Sequence, residues 1–206
     1  MYLFLIFTVI PHPGLWDGTA RNRHPFGRTS DIFTWNGLLS EVEKNQDRIA
    51  FAASARMVDV NHISDEGFWD VVKIANAPII ATHSNSRSVW NNSRNLTDDM
   101  FRAIVQTGGV AGYNACDEFT GENPDLDTIC DHILHFLELD PSGKHVVLGG
   151  DLDGIEKTPA GFEGVQSWPV LADQLIKRGL TQTQVENIFW NNAIGVIELA
   201  VCDHAK

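Results

Sequence analysis

The chain has 206 residues, 43% hydrophobic and 20% charged, with no low-complexity tract, so disordered and fibrous classes are excluded and a sizeable core is affordable. Its 27 acidic residues against 15 basic ones leave a net charge of −12, which repels phosphate backbones and argues against a nucleic-acid partner. The cysteines are three, Cys116, Cys130 and Cys202, without C-x-x-C spacing, a usage that argues against a disulfide scaffold and fits a reducing, cytoplasmic setting.

Met1 to Ile10 is apolar but lacks a basic leader region and a small-x-small cleavage pattern, and it is short of the ~20 residues that cross a bilayer. It is expected to be a buried strand over 2–9, and no membrane anchor is visible. Pro11 to Gly37 has no clear period, and Glu41 to Ala55 offers only a weak helical face. Residues 1–56 therefore read as a divergent segment, and 57–206 as the regular part of a single domain.

From Met57 the pattern alternates. Arg56 to Val60 is a short strand, and Ser64 or Asp65 starts a helix carrying Phe68, Val71, Val72 and Ile74. Pro78 to Ala81 is the next strand. Thr97 is a good N-cap, with Asp98 and Asp99 in the first turn, and Gly108-Gly109 ends that helix. Val110 to Asn114, a helix over Leu126 to Leu139, and His145 to Leu148 follow. Ser167-Trp-Pro169 predicts an N-cap with proline in the first turn, Thr181-x-x-Gln184 a capping box, and Ala193 to Ala200 a last helix. Strands alternating with helices predict an α/β fold with a parallel sheet. Asn91-Asn-Ser93 and Asn95-Leu-Thr97 match the glycosylation sequon but read as turn and cap chemistry.

Polar residues recur at one structural place. His62, His83 and Asp151 each lie just past the carboxyl end of a predicted parallel strand, the end that faces the active site in a (β/α)8 barrel. Two imidazoles and a carboxylate converging there suit a zinc site. Each could equally be a loop residue with a local partner. Arg94, between the His83 loop and the next helix, is either a surface arginine or a fork for a substrate carboxylate. His132 and His135, one turn apart, are expected on a helix flank rather than at a metal.

Together these residues carry a resemblance. Asp59-Val-Asn-His62, with Ser64 and Phe68-Trp-Asp70, resembles the D-[VL]-[SA]-H-[VL]-S segment of the renal (membrane) dipeptidase family. Ala77-Pro-Ile-Ile-Ala-Thr-His83-Ser-Asn85 with Ser93-Arg94-Asn95-Leu-Thr-Asp98, Leu148-Gly-Gly-Asp151-Leu-Asp-Gly154, and Gly161-Phe-Glu-Gly-Val-Gln-Ser-Trp-Pro169 are similar to further blocks of that family, in order. The match runs over about residues 57–201.

The resemblance implies a (β/α)8 barrel of the metal-dependent hydrolase type, and a binuclear zinc enzyme that hydrolyses dipeptides with a metal-bound hydroxide. It implies His62 and His83 as zinc ligands and Arg94 as the holder of the dipeptide carboxylate. Asp151 would stand at the metal centre, touching substrate and handling the proton. The chain departs from the family in its first part. It contains no His-x-Asp, and Glu41 and Glu43 do not stand at a strand end where the family's bridging Glu belongs. Only about five strand positions of eight are visible, where a full barrel takes ~250 residues. A truncated or frame-shifted N-terminal side is the expectation. A catalytically deficient homologue or a non-enzymatic binding protein therefore stays open beside the dipeptidase, as does a single-zinc hydrolase using His62, His83 and Asp151. Exposed parallel strand edges also leave open a homodimer.

Overall fold

The computed structural model describes Phe33–Thr34 and residues 57–202. The strand expected over 2–9 and the weak helix over 41–55 lie outside the described residues, as do Glu41 and Glu43. Among the described residues, five parallel strands follow one another in space in chain order. β1 (Phe33–Thr34) pairs with β2 (Val58–Asp59), and β2 with β3 (Ile79–Ile80). A bridge from Ala81 to Ala111 joins β3 to β4 (Ala111–Asn114), which pairs with β5 (Val146–Gly150). β1 falls inside the stretch that shows no period in the sequence; two residues are too few for alternation to register.

Helices connect the strands. α1 (Asp65–Ile74) follows β2, and its Ser64 cap accepts from the Gly67 amide. α2 (Asp98–Gln106) follows β3, and Thr97 accepts from the Met100 amide at its start. Its other end closes as expected at the glycine pair: Gly108 N–H bonds to Val105 and Gly109 N–H to Ile104, with Gly108 at φ +75°. α3 (Asp117–Thr120) is a single turn that the sequence does not announce. α4 (Leu126–Leu139) has the bounds read from its apolar face, and is started by Asp125 and Thr128 capping each other.

After β5 the chain runs through α5 (Trp168–Lys177), α6 (Gln182–Glu186), a π-helical turn over Asn187–Asn191 and α7 (Asn192–Cys202). Thr181 and Gln184 form the expected capping box. Ser167 does not cap as expected. A 3-10 turn over Val165–Ser167 already holds it in helical geometry, and its hydroxyl reaches back to accept the Glu163 amide at 2.8 Å. Among the described residues, no helix is long and apolar enough to cross a membrane.

The two faces of the sheet are filled differently. Val58, Ile79, Ala111, Tyr113, Val146 and Leu148 pack outward with the helices into one core, where Phe101 stacks on Phe136 at 4.2 Å. Met57, Ile80, Val110 and Val147 point to the other face and pack with Ala193 and Val196 of α7. One step further along each strand that second face turns polar or bare, with Asp59, Thr82, Gly112 and Gly149. The two glycines are needed there. A Cβ on Gly149 would stand 1.8 Å from the Thr82 carbonyl oxygen, and one on Gly112 at 2.1 Å. Both contacts are backbone, so neither can be relieved by a rotamer change. We predict that Gly149→Ala lowers unfolding free energy by about 1–3 kcal/mol, the usual cost of overpacking. Urea melts should show a lower midpoint at unchanged slope.

Candidate metal centre

The carboxyl ends of β2, β3 and β5 bring three of the sequence-derived residues to one place. His62 and His83 meet ring to ring, Nε2 to Nε2, at 2.9 Å. Asp151 Oδ2 lies 3.9 Å from His83 Nε2 and also accepts from Asn114 Nδ2 at 3.3 Å. Two of these residues sit on left-handed backbone, His62 at φ +61° and Asp151 at φ +59°, which is uncommon for residues other than glycine. At both positions the chain turns sharply out of a strand, and the side chain is thereby directed across the strand ends.

Arg94 joins them from the β3–α2 loop. Its guanidinium lies 5.1 Å from the Phe119 ring centroid, on the ring face, and its Nη2 is 3.4 Å from His62 Nε2. It is half-buried, so it is not an ordinary surface arginine. The loop carrying it is pinned by Arg87, which pairs bidentately with Asp65 at 2.6 and 2.8 Å and donates to the Asn95 and Ser93 carbonyls. Asn95 is buried, its amide donating to the Trp90 and Phe119 carbonyls, and Thr97 caps α2. The sequon over Asn95–Thr97 thus serves turn and cap chemistry as expected. Beside His62 and Arg94 opens a cavity of about 560 Å3, with Val60, Phe68 and Met100 in its wall.

Burial sets the electrostatics. It is the main cause that holds the His83 imidazole down to about 4, with His62 and Arg94 adding to it against the pull of Asp59. His62 is lowered by burial and then by Arg94, and burial raises the Asp151 carboxyl. Neutral imidazole is the form that ligates metal. Among the described residues, no group of three or more His, Cys, Asp or Glu is arranged to hold an ion. The donor chemistry of His62 and His83 nevertheless fits two positions of a zinc shell, which takes four ligands.

Sequence reasoning missed the residues beneath. Asp59, Asn61, Thr82 and Ser84 form a buried hydrogen-bonded layer under the two histidines, tied across strands by Asn61 Nδ2 to Thr82 Oγ1 at 2.7 Å and Ser84 Oγ to Asn61 Oδ1 at 2.6 Å. Their signal in the sequence is the polar pair Asp59 and Asn61, two apart, at the end of an apolar strand and in the turn that follows it. His132 is corrected. It is 1% exposed rather than on a flank, Nδ1 accepting the Ser86 amide at 3.1 Å and Nε2 donating to the Thr120 carbonyl at 2.8 Å. His135 instead pairs with Asp98 at 2.9 Å.

Residues 55–203 match the family model described as membrane dipeptidase (peptidase family M19). The chain belongs to the membrane dipeptidase family. An uncharacterized dipeptidase of Schizosaccharomyces pombe is 33% identical over 143 residues, covering 68% of this chain and 35% of the yeast protein. A metallopeptidase of Rhodobacter sphaeroides, solved with a phosphinate mimic of the dipeptide L-Ala-D-Ala, superposes with a TM-score of 0.69 at 27% identity. That match covers 74% of this chain and 45% of the solved one. A second solved metallopeptidase of the family, dipeptidase AC, gives a TM-score of 0.70 at 26% identity, over 76% and 48%. The chain thus spans about a third of the length of the yeast relative and about half of these structures. The family is one of metallopeptidases, hydrolases on a TIM-barrel-like fold.

His132 yields a stability prediction. Burial lowers its pKa from the ordinary 6.5, so below that value the unfolded chain binds a proton that the folded chain resists. Its contribution is full above 6.5 and is lost as pH falls. His132→Asn, which cannot reach both partners, should lose about 1–3 kcal/mol at about pH 7. The gap to the native chain, read by urea unfolding, should narrow as the buffer is acidified below 6.5.

Proposed function

We propose that this protein is a zinc-dependent dipeptidase, with the five parallel strands forming part of a (β/α)8 barrel and the reaction placed at their carboxyl ends. The observation that carries this reading is the meeting of His62 and His83 at 2.9 Å, with Asp151 and Arg94 around them. His62 and His83 would hold the metal, which when bound supplies a Lewis acid for the scissile carbonyl and acidifies water.

The chain's own residues supply the rest. Arg94, kept in place by the Phe119 face and by the Arg87–Asp65 clamp on its loop, presents a planar fork to the free carboxylate of a dipeptide. Asp151, whose carboxyl is raised by burial, is suited to take a proton from the attacking water and return it to the leaving amine. Asn114 orients it through Oδ2. The cavity of about 560 Å3 beside His62 and Arg94 falls in the range of small-ligand pockets, which fits a substrate of dipeptide size.

One observation favours a second reading. The described residues offer two imidazoles but no third ligating group in place, and the sequence contains no His-x-Asp. A chain so furnished could be a catalytically deficient homologue or a non-enzymatic binding protein. Metal analysis of the purified chain and hydrolysis of a dipeptide panel separate the two. The dipeptidase reading expects retained zinc and dipeptide cleavage that is abolished in His83→Ala. Arg94→Met should raise KM by roughly 10–100-fold, the value of a charge-assisted hydrogen bond. No zinc, and cleavage no faster than that of His83→Ala, would leave the deficient reading standing.

A further inference from the structure

The buried layer under the histidines fixes where protons can be. Asp59, 4% exposed, accepts three N–H donors on Oδ1: the Asn61 amide at 3.0 Å, Asn61 Nδ2 at 2.7 Å and the Thr82 amide at 3.4 Å. Its Oδ2 accepts the Thr82 hydroxyl at 2.8 Å. A hydroxyl has one proton to give. Thr82 has committed it to Asp59, and its oxygen also accepts Asn61 Nδ2. The remaining contact of that oxygen is His83 Nδ1 at 2.9 Å, and it is satisfied only with the proton on Nδ1. A neutral imidazole carries a single N–H, so Nε2 is then left with its lone pair.

We propose that Asp59 and Thr82 are positioning residues that lock His83 in its Nδ1–H tautomer and leave its Nε2 bare of a proton, as the acceptor in the 2.9 Å contact with His62 Nε2. The tautomer is chosen by a carboxylate acting through a hydroxyl, both buried, where an unmade bond is costly. Metal-binding histidines commonly donate their second N–H to an acceptor that sets ring orientation and basicity. Here that acceptor is a threonine oxygen whose own proton is held by Asp59. The purpose assigned to the bare Nε2 rests on the metal-ligand reading of His83, whereas the tautomer itself does not require a metal.

Long-range proton–nitrogen correlation on the chelator-treated full chain, labelled with [15N]histidine, reads the tautomer directly. His83 is assigned by the signal lost in His83→Gln. The expected spectrum has a protonated Nδ1 and an unprotonated Nε2. Thr82→Val keeps the side-chain shape and removes the oxygen; it should shift His83 toward Nε2–H and weaken zinc binding roughly 10–100-fold, with Thr82→Ser restoring both. Native His83 protonated on Nε2, or a Thr82→Val chain with the native tautomer, overturns the proposal. If Thr82→Val does not fold, the native spectrum alone decides. An Nδ1–H tautomer in a chain that takes up no zinc upholds the relay and rejects the metal reading.

Discussion

Three strands approach each other so closely at Thr82 that its carbonyl fills the space a side chain would take on Gly112 or Gly149. The Gly112 amide bonds to the Ala81 carbonyl at 2.7 Å and the Ser84 amide to the Gly112 carbonyl at 2.7 Å, while the Thr82 amide donates to Asp59 Oδ1 at 3.4 Å, so the segment over 81–84 is held from β4 on one side and from the end of β2 on the other. That segment carries His83 and, through Thr82, the layer that includes Asp59 and Asn61. Below it the face is apolar and packs with Ala193 and Val196 of α7; above it the face carries the polar layer under the two histidines. The bare middle lets the strands carry both layers without a gap.

Around this constraint the site is assembled from loops that differ in how they are secured. The start of α1 is bound to the β3–α2 connection by the Arg87–Asp65 pair, which ties the helix that follows His62 to the loop that carries Arg94. The β3–α2 loop is also bound to α4 and to the turn after β4, through His132 between the Ser86 amide and the Thr120 carbonyl. The Asp151 turn is tied to the end of β4 by the Asn114 side chain, whose Nδ2 donates to Asp151 Oδ2 at 3.3 Å. His83 stands 3.9 Å from the Asp151 carboxylate with His62 and then Arg94 beside it, and burial is the first cause of the shifts at His62, His83 and Asp151.

Much of this was legible in the sequence where a local rule acts alone. The α4 bounds followed from its apolar face, and Ser64, Thr97 and the Thr181–Gln184 box capped as their residue types require. The family motifs placed His62, His83, Arg94 and Asp151 at loop positions that the fold does bring together. Non-local features stayed hidden. Ser167 looked like a cap, but a preceding turn had already claimed its backbone geometry. The imidazole of His132 looked like a flank group because its two partners lie 46 and 12 residues away. α3 is one turn and β1 two residues, too short for any periodicity to reveal.

The left-handed backbone at His62 and Asp151 has an evolutionary side. Glycine adopts such angles without strain, whereas histidine and aspartate hold them at a cost. A change to glycine at either position would relax the backbone while removing a group that the proposed metal site needs. Selection for robustness and selection for chemistry therefore pull these two positions in opposite directions. That makes them places where a lineage released from its catalytic role would be free to drift first.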